Sequence, residues 1–412
     1  MFVDHLSLLD FRTYAHLDIR LGPGITVFLG PNGVGKTNVV EAVDYTAGLT
    51  SHRVSSDGPL IRLGAERAIV RVRVRRGGQQ TVLEFELNDG RANRVRINRA
   101  SPVRARDALG IVRTVLFSPE DLALVKGDPS HRRRFLDQLA ASMRPVLAGT
   151  LADYEKVLRQ RNALLRSARA GGRFTATHRA TLAAWNDQFA RAGATVLHAR
   201  LQLLDALAPQ VATAYGQLTD GSKATRLRYV SSVLPESAGG DVEQLRGFTP
   251  ADLHQLVLDA CETVQERELD RGLSLVGPHR DELELLLGDA PARGYASHGE
   301  TWSYALALRL GSWYVHLADD PAEGAAPILV LDDVFAELDT RRRSRLAGIV
   351  ASAEQVLVTA AVEEDLPAEL VAGPHDVVRV GPGTALRDDE RSRVEEGLPG
   401  DGAPGPAGAP SW

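Results

Sequence analysis

At 412 residues the chain is longer than one compact core usually covers, so one large or two moderate domains are expected. Its 44% apolar and 25% charged residues are ordinary for a soluble globular protein; the single cysteine, Cys261, excludes an internal disulfide. No apolar run is long enough to span a bilayer, so a cytoplasmic location with no membrane partner is expected.

The net charge of −5 hides an asymmetry: residues 53–179 hold 26 Lys and Arg against 12 Asp and Glu, a net +14, which leaves −19 elsewhere. Such a basic half suits a polyanion, although a run of charge is as often a solvated face. The opening residues, with Phe2, Leu6, Leu8 and Phe11, read as a strand and not as a targeting leader. Residues 24–29 form an apolar run that stops at glycine, which suits a buried strand, and 38–46 carry Val39, Val40 and Val43 at helical spacing. Between them Gly30, Pro31, Asn32, Gly33, Val34, Gly35, Lys36 and Thr37 complete a P-loop pattern in the strand–loop–helix context it requires. Glycines let backbone N–H groups crowd phosphate oxygens, the helix start adds its positive end, Lys36 reaches the outer phosphates, and Thr37 can ligate Mg²⁺. The chain has only four lysines, which makes one at this position informative.

Residues 68–75 and 81–87 alternate about a Gly77-Gly78 turn and predict a hairpin. Arg71, Arg73 and Arg75 share one exposed face, as do Glu84 and Glu86, so the arginines are candidates both for cross-strand ion pairs and for DNA contact. A third run, 94–98, adds positive charge. From about 130 to 272 the pattern is helical. It opens with 131–139, where Arg132, Arg133 and Arg134 are open either to DNA contact or to pairing with acids. It continues through 151–168, 177–218 and a helix to about 271 that Thr249 caps, with Pro250 at its first position. No heptads persist long enough for an extended coiled coil. Strands resume at 283–287, and the tail at 381–412, rich in Gly, Pro, Asp and Glu, is expected to be disordered.

Residues 327–333 are a deeply apolar run that ends in Asp332 and Asp333. An acid at the end of a buried strand can hold magnesium beside Thr37, directly or through water, and Asp333 is placed to orient or deprotonate an attacking water. Lys36 and Asp333 are thus the catalytic candidates, Thr37 and Asp332 the metal candidates. Ser297-His-Gly-Glu-Thr-Trp-Ser303 starts a predicted helix 35 residues before Asp332 and resembles the signature motif of ABC-type ATPases. Ala336-Glu-Leu-Asp339 follows where the D-loop of that class lies. Two heads of that class sandwich ATP, and the resemblance implies that Ser297 and Gly299 of one copy touch the γ-phosphate held by the other. The implied fold class is α/β, an ABC-type P-loop ATPase head formed by both ends of the chain. Its parts are expected at 1–125 and 273–380, around a mainly helical insertion at 126–272 without a long coiled coil.

Further blocks narrow the resemblance. Phe11-Arg-Thr-Tyr14, Phe117-Ser-Pro-Glu-Asp-Leu122, Val125-Lys-Gly-Asp-Pro129, Arg132-Arg-Arg-Phe-Leu-Asp137, Leu158-Arg-Gln-Arg-Asn-Ala-Leu-Leu165 and Ser274-Leu-Val-Gly-Pro-His-Arg-Asp281 resemble the RecF family of bacterial DNA replication and repair proteins. The resemblance covers roughly residues 1–380. It implies ATP and Mg²⁺ as cofactors, with Asn38 and Arg12 beside the nucleotide, although Arg12 is equally able to pair with a carboxylate. It further implies an ATP-dependent homodimer, sequence-independent binding of duplex and gapped DNA near single-strand/double-strand junctions, and RecR and RecO as partners in placing RecA. The activity implied is a weak DNA-stimulated ATPase used as a switch in DNA repair.

Thr301 and Trp302 depart from the family pattern, and Asp333 stands where many ABC ATPases have glutamate, which suggests slow turnover. No switch histidine appears near Thr359, which is placed to take part of that role. His279 and Arg280 are open to nucleotide sensing or to a structural role. A transporter subunit and a chromosome-structural clamp are the alternatives; the first lacks a membrane-coupling signature here, the second a long coiled coil.

Overall fold

The computed structural model describes residues 1–171, 174–221, 223–235 and 240–388. The chain divides into two compact units, one made of residues 1–108, 116–119 and the chain from 322 onward, the other of 109–115 and 120–321. Neither boundary falls at the expected 125 or 272. Residues 273–321 join the helical unit because the helix His298–Asp319 packs on Ala176–Leu218, and the strand Glu282–Leu287 pairs antiparallel with Thr225–Val230.

Among the described residues the first unit contains two six-stranded sheets. One is antiparallel throughout, in the order Tyr14–Arg20, Phe2–Phe11, Arg67–Arg76, Gln79–Asn88, Arg94–Ile97 and Val103–Arg104. Strict alternation builds it: Val70, Val72, Val74, Leu83, Phe85 and Leu87 are buried, so the intervening arginines and glutamates reach the opposite face. The other runs Thr384–Arg387, His375–Gly381, Gly24–Leu29, Gln355–Ala360, Ile328–Asp332 and Thr114–Phe117, whose Leu116 and Phe117 belong to this unit. Its central pairings are parallel, and Ile328–Asp332 and Gln355–Ala360 are buried at every residue, as strands covered on both faces must be. Parallel pairing brings the carboxyl ends of four strands to one edge, where open α/β sheets place their ligands. Gln355 ties this sheet to the other by donating to the Val3 and Gly22 carbonyls, each at 2.8 Å, and accepting from the Val3 N–H at 2.9 Å. Disorder was expected from 381, but Thr384–Arg387 extends the sheet; residues 389–412 lie outside the described residues.

The second unit is built on Ala176–Leu218, a helix of 43 residues. Val146–Ala170, Pro250–Arg271 and His298–Asp319 all pack against it, so its apolar side is used within the unit instead of forming a coiled coil. Thr249 caps Pro250–Arg271 as expected, in a reciprocal capping box with Asp252. At the centre Arg161 is fully buried. Its guanidinium donates to Asn186 Oδ1 at 2.8 Å, Ser274 Oγ at 2.7 Å and Glu268 Oε2 at 2.5 Å, and lies 5.2 Å from the Phe189 ring centre.

The Gly-Pro-His-Arg-Asp block is bound into the same core. His279 Nδ1 and the Tyr154 hydroxyl are 2.7 Å apart, and Arg280 donates to the Ser274 carbonyl at 2.9 Å. Asp281 accepts from Ser231, Ser232 and Tyr229. Burial pushes His279 down to about 3, so the ring is neutral at pH 7 and packs beside Tyr154 within this core. Removing one partner of a buried ion pair strands the other charge. Glu268→Ala is therefore expected to cost about 3–5 kcal/mol in chemical denaturation, whereas Asp187→Ala, which breaks an exposed pair with Arg191, should cost far less. Equal losses for the two would contradict this packing.

Candidate functional site

The strand Gly24–Leu29 ends at Gly30, where a Cβ would lie 2.4 Å from the Val380 carbonyl oxygen. Gly33 and Gly35 have φ of +84° and +114°, in the left-handed region that side chains rarely adopt. The loop they shape delivers Lys36 to the start of the helix Lys36–Gly48. Lys36 is 4% exposed, and its ammonium folds back to donate to the Gly30 carbonyl at 2.7 Å, the Pro31 carbonyl at 3.2 Å and Asn32 Oδ1 at 3.4 Å. Asn38 donates to Thr13 Oγ1 at 2.9 Å and accepts from Arg53 at 3.0 Å. Arg12 makes the carboxylate pair that was one of its two expected roles, donating to Glu41 at 2.9 and 2.6 Å and to the Pro59 carbonyl at 3.0 Å. A groove of about 750 Å³ opens over the loop; Arg12, Lys36, Thr37, Arg53 and Asp333 line it, and Leu63 stands 97% exposed at its rim. A nucleotide is a ligand of suitable size for such a groove.

Asp332 completes the floor. Its Oδ1 accepts from Thr37 Oγ1 at 2.9 Å and from Thr359 Oγ1 at 2.8 Å. The Thr359 hydroxyl in turn accepts from the Asp333 N–H at 2.9 Å and lies 3.3 Å from Asp333 Oδ1, so a single hydroxyl touches both acids. Asp333 has φ of +52°, a strained value for a residue with a side chain. Burial, and then the neighbouring Asp332 charge, hold its carboxyl above the usual carboxylate range. The Thr37 and Asp332 oxygens are hard donors suited to a cation such as magnesium.

Ser297 lies in the second unit. It caps the helix His298–Asp319, accepting from the Glu300 N–H at 3.3 Å while Glu300 accepts from the Ser297 N–H at 2.8 Å. Lys223, 2.6 Å from Glu300, and the Ser297 N–H bring the Glu300 carboxyl down to about 2. Ser297 is exposed and Gly299 half-buried, whereas the divergent Thr301 and Trp302 are buried, so the departures from the family pattern face the unit's own core.

The arginines expected to meet DNA are otherwise engaged. Arg71 pairs with Glu84 across the strands at 2.5 Å, and Arg73 and Arg75 both pair with Asp4. Arg132 is only 5% exposed, held by both Glu282 oxygens at 2.8 Å and by the Leu124 and Gly127 carbonyls at 3.0 Å. A buried guanidinium with four of its N–H groups already bonded cannot reach a phosphate, so Arg132 is structural. Arg133 donates to the Asp281 carbonyl at 2.8 Å.

Three residues beside the loop were not anticipated: Glu41, His52 and Arg53. Glu41 is fully buried and also accepts from Ser51 at 2.5 Å; His52 Nε2 is 3.8 Å from Asp332 Oδ2. Burial works against a charged His52, but Asp332, Asp44 and Glu41 outweigh it and raise the imidazole above its ordinary value. The available signal was the polar run Ser51-His-Arg53 directly after the P-loop helix.

Residues 2–370 match the family described as RecF/RecN/SMC N-terminal domain. A DNA replication and repair protein RecF from Pseudarthrobacter chlorophenolicus is 60% identical over 386 residues, covering 90% of this chain and 96% of the relative. The chain belongs to the RecF family. A RecF from Paenarthrobacter aurescens is 57% identical over 92% of this chain and 99% of its own. A solved structure described as the recombination mediator protein RecF with ATP in the RecFOR pathway superposes with a TM-score of 0.82, at 22% identity, over 94% of this chain and 97% of its own. At that identity the likeness shows the fold, an ATPase head of the RecF and SMC type.

Thr359→Val keeps the volume but leaves the Asp333 N–H without its acceptor. A loss of about 1–3 kcal/mol in urea denaturation is expected, with Thr359→Ser close to wild type. Equal stability of the two variants would contradict the hydroxyl's role.

Proposed function

We propose that this chain, a DNA replication and repair protein of the RecF family, binds ATP with Mg²⁺ in the groove beside Lys36 and uses the nucleotide to join two copies around DNA. The observation that carries this reading is the 2.9 Å separation of Thr37 Oγ1 and Asp332 Oδ1. Neighbouring ligands of an octahedral Mg²⁺ lie about 2.9 Å apart when each bond is about 2.0–2.1 Å, so these oxygens fit that ion. Bound there, the ion supplies charge neutralisation to the phosphates. Lys36 exchanges the Gly30 and Pro31 carbonyls for phosphate oxygens, as a point charge on a flexible stem can. Asp333, with its raised carboxyl, takes the proton from an attacking water. Its side chain is one methylene shorter than the glutamate of faster ATPases, which suits slow turnover.

Ser297 and Gly299 of a second copy complete the site by presenting a helix start to the γ-phosphate. Pairing closes the two copies on duplex DNA beside a single-strand junction, held through phosphates and not through base sequence. RecO and RecR are the partners expected from the pathway named for the solved relative, and RecA is the protein delivered.

The test compares dimerisation by light scattering and DNA binding by fluorescence anisotropy, with and without ATP, in wild type and Lys36→Arg. ATP should raise both in wild type. In the variant ATP binding should persist while hydrolysis falls about tenfold or more, because a planar guanidinium cannot reproduce the ammonium's placement. Unchanged hydrolysis in the variant, or a wild type indifferent to ATP in both assays, would contradict the reading.

A further inference from the structure

The segment 91–106 contains six arginines and no acid. It forms the last two strands of the antiparallel sheet, Arg94–Ile97 and Val103–Arg104, and enters a single helical turn at Ala105–Ala108, whose Asp107 is the first acid after it. Arg96 is paired with Glu84 at 2.9 Å. Arg91, Arg94, Arg99, Arg104 and Arg106 are exposed, and among the described residues none of the five makes an ion pair or side-chain hydrogen bond. They differ in this from Arg71, Arg73, Arg75 and Arg132 on neighbouring or other elements, each of which is paired with an acid, although Arg73 and Arg75 share Asp4 and Arg71 shares Glu84 with Arg96.

Two details set this edge apart from a merely solvated charge run. Arg94 and Arg104 are direct cross-strand partners, so two cations stand side by side on one face, while Glu86, which faces Arg94 from the other neighbouring strand, is paired with Arg67 at 3.6 Å. Arg99 has φ of +65° at the tip of the turn, a conformation that glycine or asparagine adopts with less strain. Two asparagines tie the segment to neighbouring elements. Asn93 accepts from the Asn88 N–H at 2.9 Å and donates to Asp57 at 2.6 Å, while Asn98 accepts from the Val82 N–H at 2.8 Å. Arg94 and Arg104 are thus displayed on paired strands, with Arg99 on the turn that follows the first of them.

We infer that the edge formed by Arg91, Arg94, Arg99, Arg104 and Arg106 is the surface that takes the phosphate backbone of duplex DNA. A polyanion relieves the Arg94–Arg104 repulsion, and the guanidinium fork matches phosphate oxygens in pairs. Duplex DNA is favoured over an acidic protein segment because little apolar surface accompanies the charge: Val103 is the one exposed large hydrophobic residue in the segment. The inference rests on the DNA-binding reading above and names its contact surface.

The experiment measures anisotropy of a fluorescent 30-base-pair duplex with ATP and Mg²⁺ across a salt series, for wild type, Arg94→Ala/Arg104→Ala and Arg71→Ala. The double variant should lose about tenfold or more in affinity, and its slope of log affinity against log salt should flatten by about 2, one phosphate contact for each arginine removed. Arg71→Ala should keep the wild-type slope. Removing the facing cations should leave the thermal midpoint unchanged or raised, so that lost binding cannot be ascribed to unfolding. ATP binding should be unaltered. Wild-type affinity and slope in the double variant would overturn the inference while leaving the DNA-binding reading intact. A wild type that does not bind the duplex at all would overturn both.

Discussion

A single oxygen atom, Asp332 Oδ1, receives hydrogen bonds from Thr37 and Thr359, and the first of these residues lies 295 positions away along the chain. That meeting depends on the parallel order of Gly24–Leu29, Gln355–Ala360 and Ile328–Asp332, which stacks their carboxyl ends at one edge. Shifting any one strand by a residue would turn its terminal side chain to the other face and dissolve the cluster. Two adjacent acids are costly to bury together. The raised Asp333 carboxyl and its left-handed backbone show that the cost is retained, held by a Thr359 hydroxyl that both acids share.

Much of this edge was legible beforehand for a physical reason. Gly33 and Gly35 occupy backbone conformations that other residues resist, so the loop leaves a mark in the sequence, and a strand buried on both faces leaves an unbroken apolar run before its acids. Glu41, His52 and Arg53 left no comparable mark, because their meeting depends on how residues 49–63 return over the helix and not on any period. The unit boundary was misplaced for a related reason. Residues 225–230, Thr-Arg-Leu-Arg-Tyr-Val, alternate as a strand should, yet they sit among long helices; their pairing with Glu282–Leu287 is what draws the later segment into the helical unit.

Arginine was the most misleading signal. Its abundance marks a basic half of the chain, but the structure divides those residues by what they touch. Arg161, Arg132 and Arg200 are buried and bonded to acids within one unit, where removing any one strands a carboxylate. Arg71, Arg73 and Arg75 are paired with acids along their own sheet, the last two sharing Asp4. A stripe of like charge in sequence therefore identifies neither a binding face nor its absence until partners are assigned. The same holds for Thr301 and Trp302, whose departure from the family pattern concerns the core side of a helix that still presents Ser297 to solvent.

The phosphate loop and acid pair belong to one unit and the capped Ser297 to the other, and the proposed chemistry requires them to meet between two copies. Mixing two separately inactive variants, Lys36→Ala and Ser297→Ala, tests that requirement most directly. Half of the dimers formed at equal ratio carry one intact shared site of two, so hydrolysis of ATP should return to roughly a quarter of the wild-type rate. A mixture that stays inactive at every ratio, although the two variants are shown to pair, would contradict it.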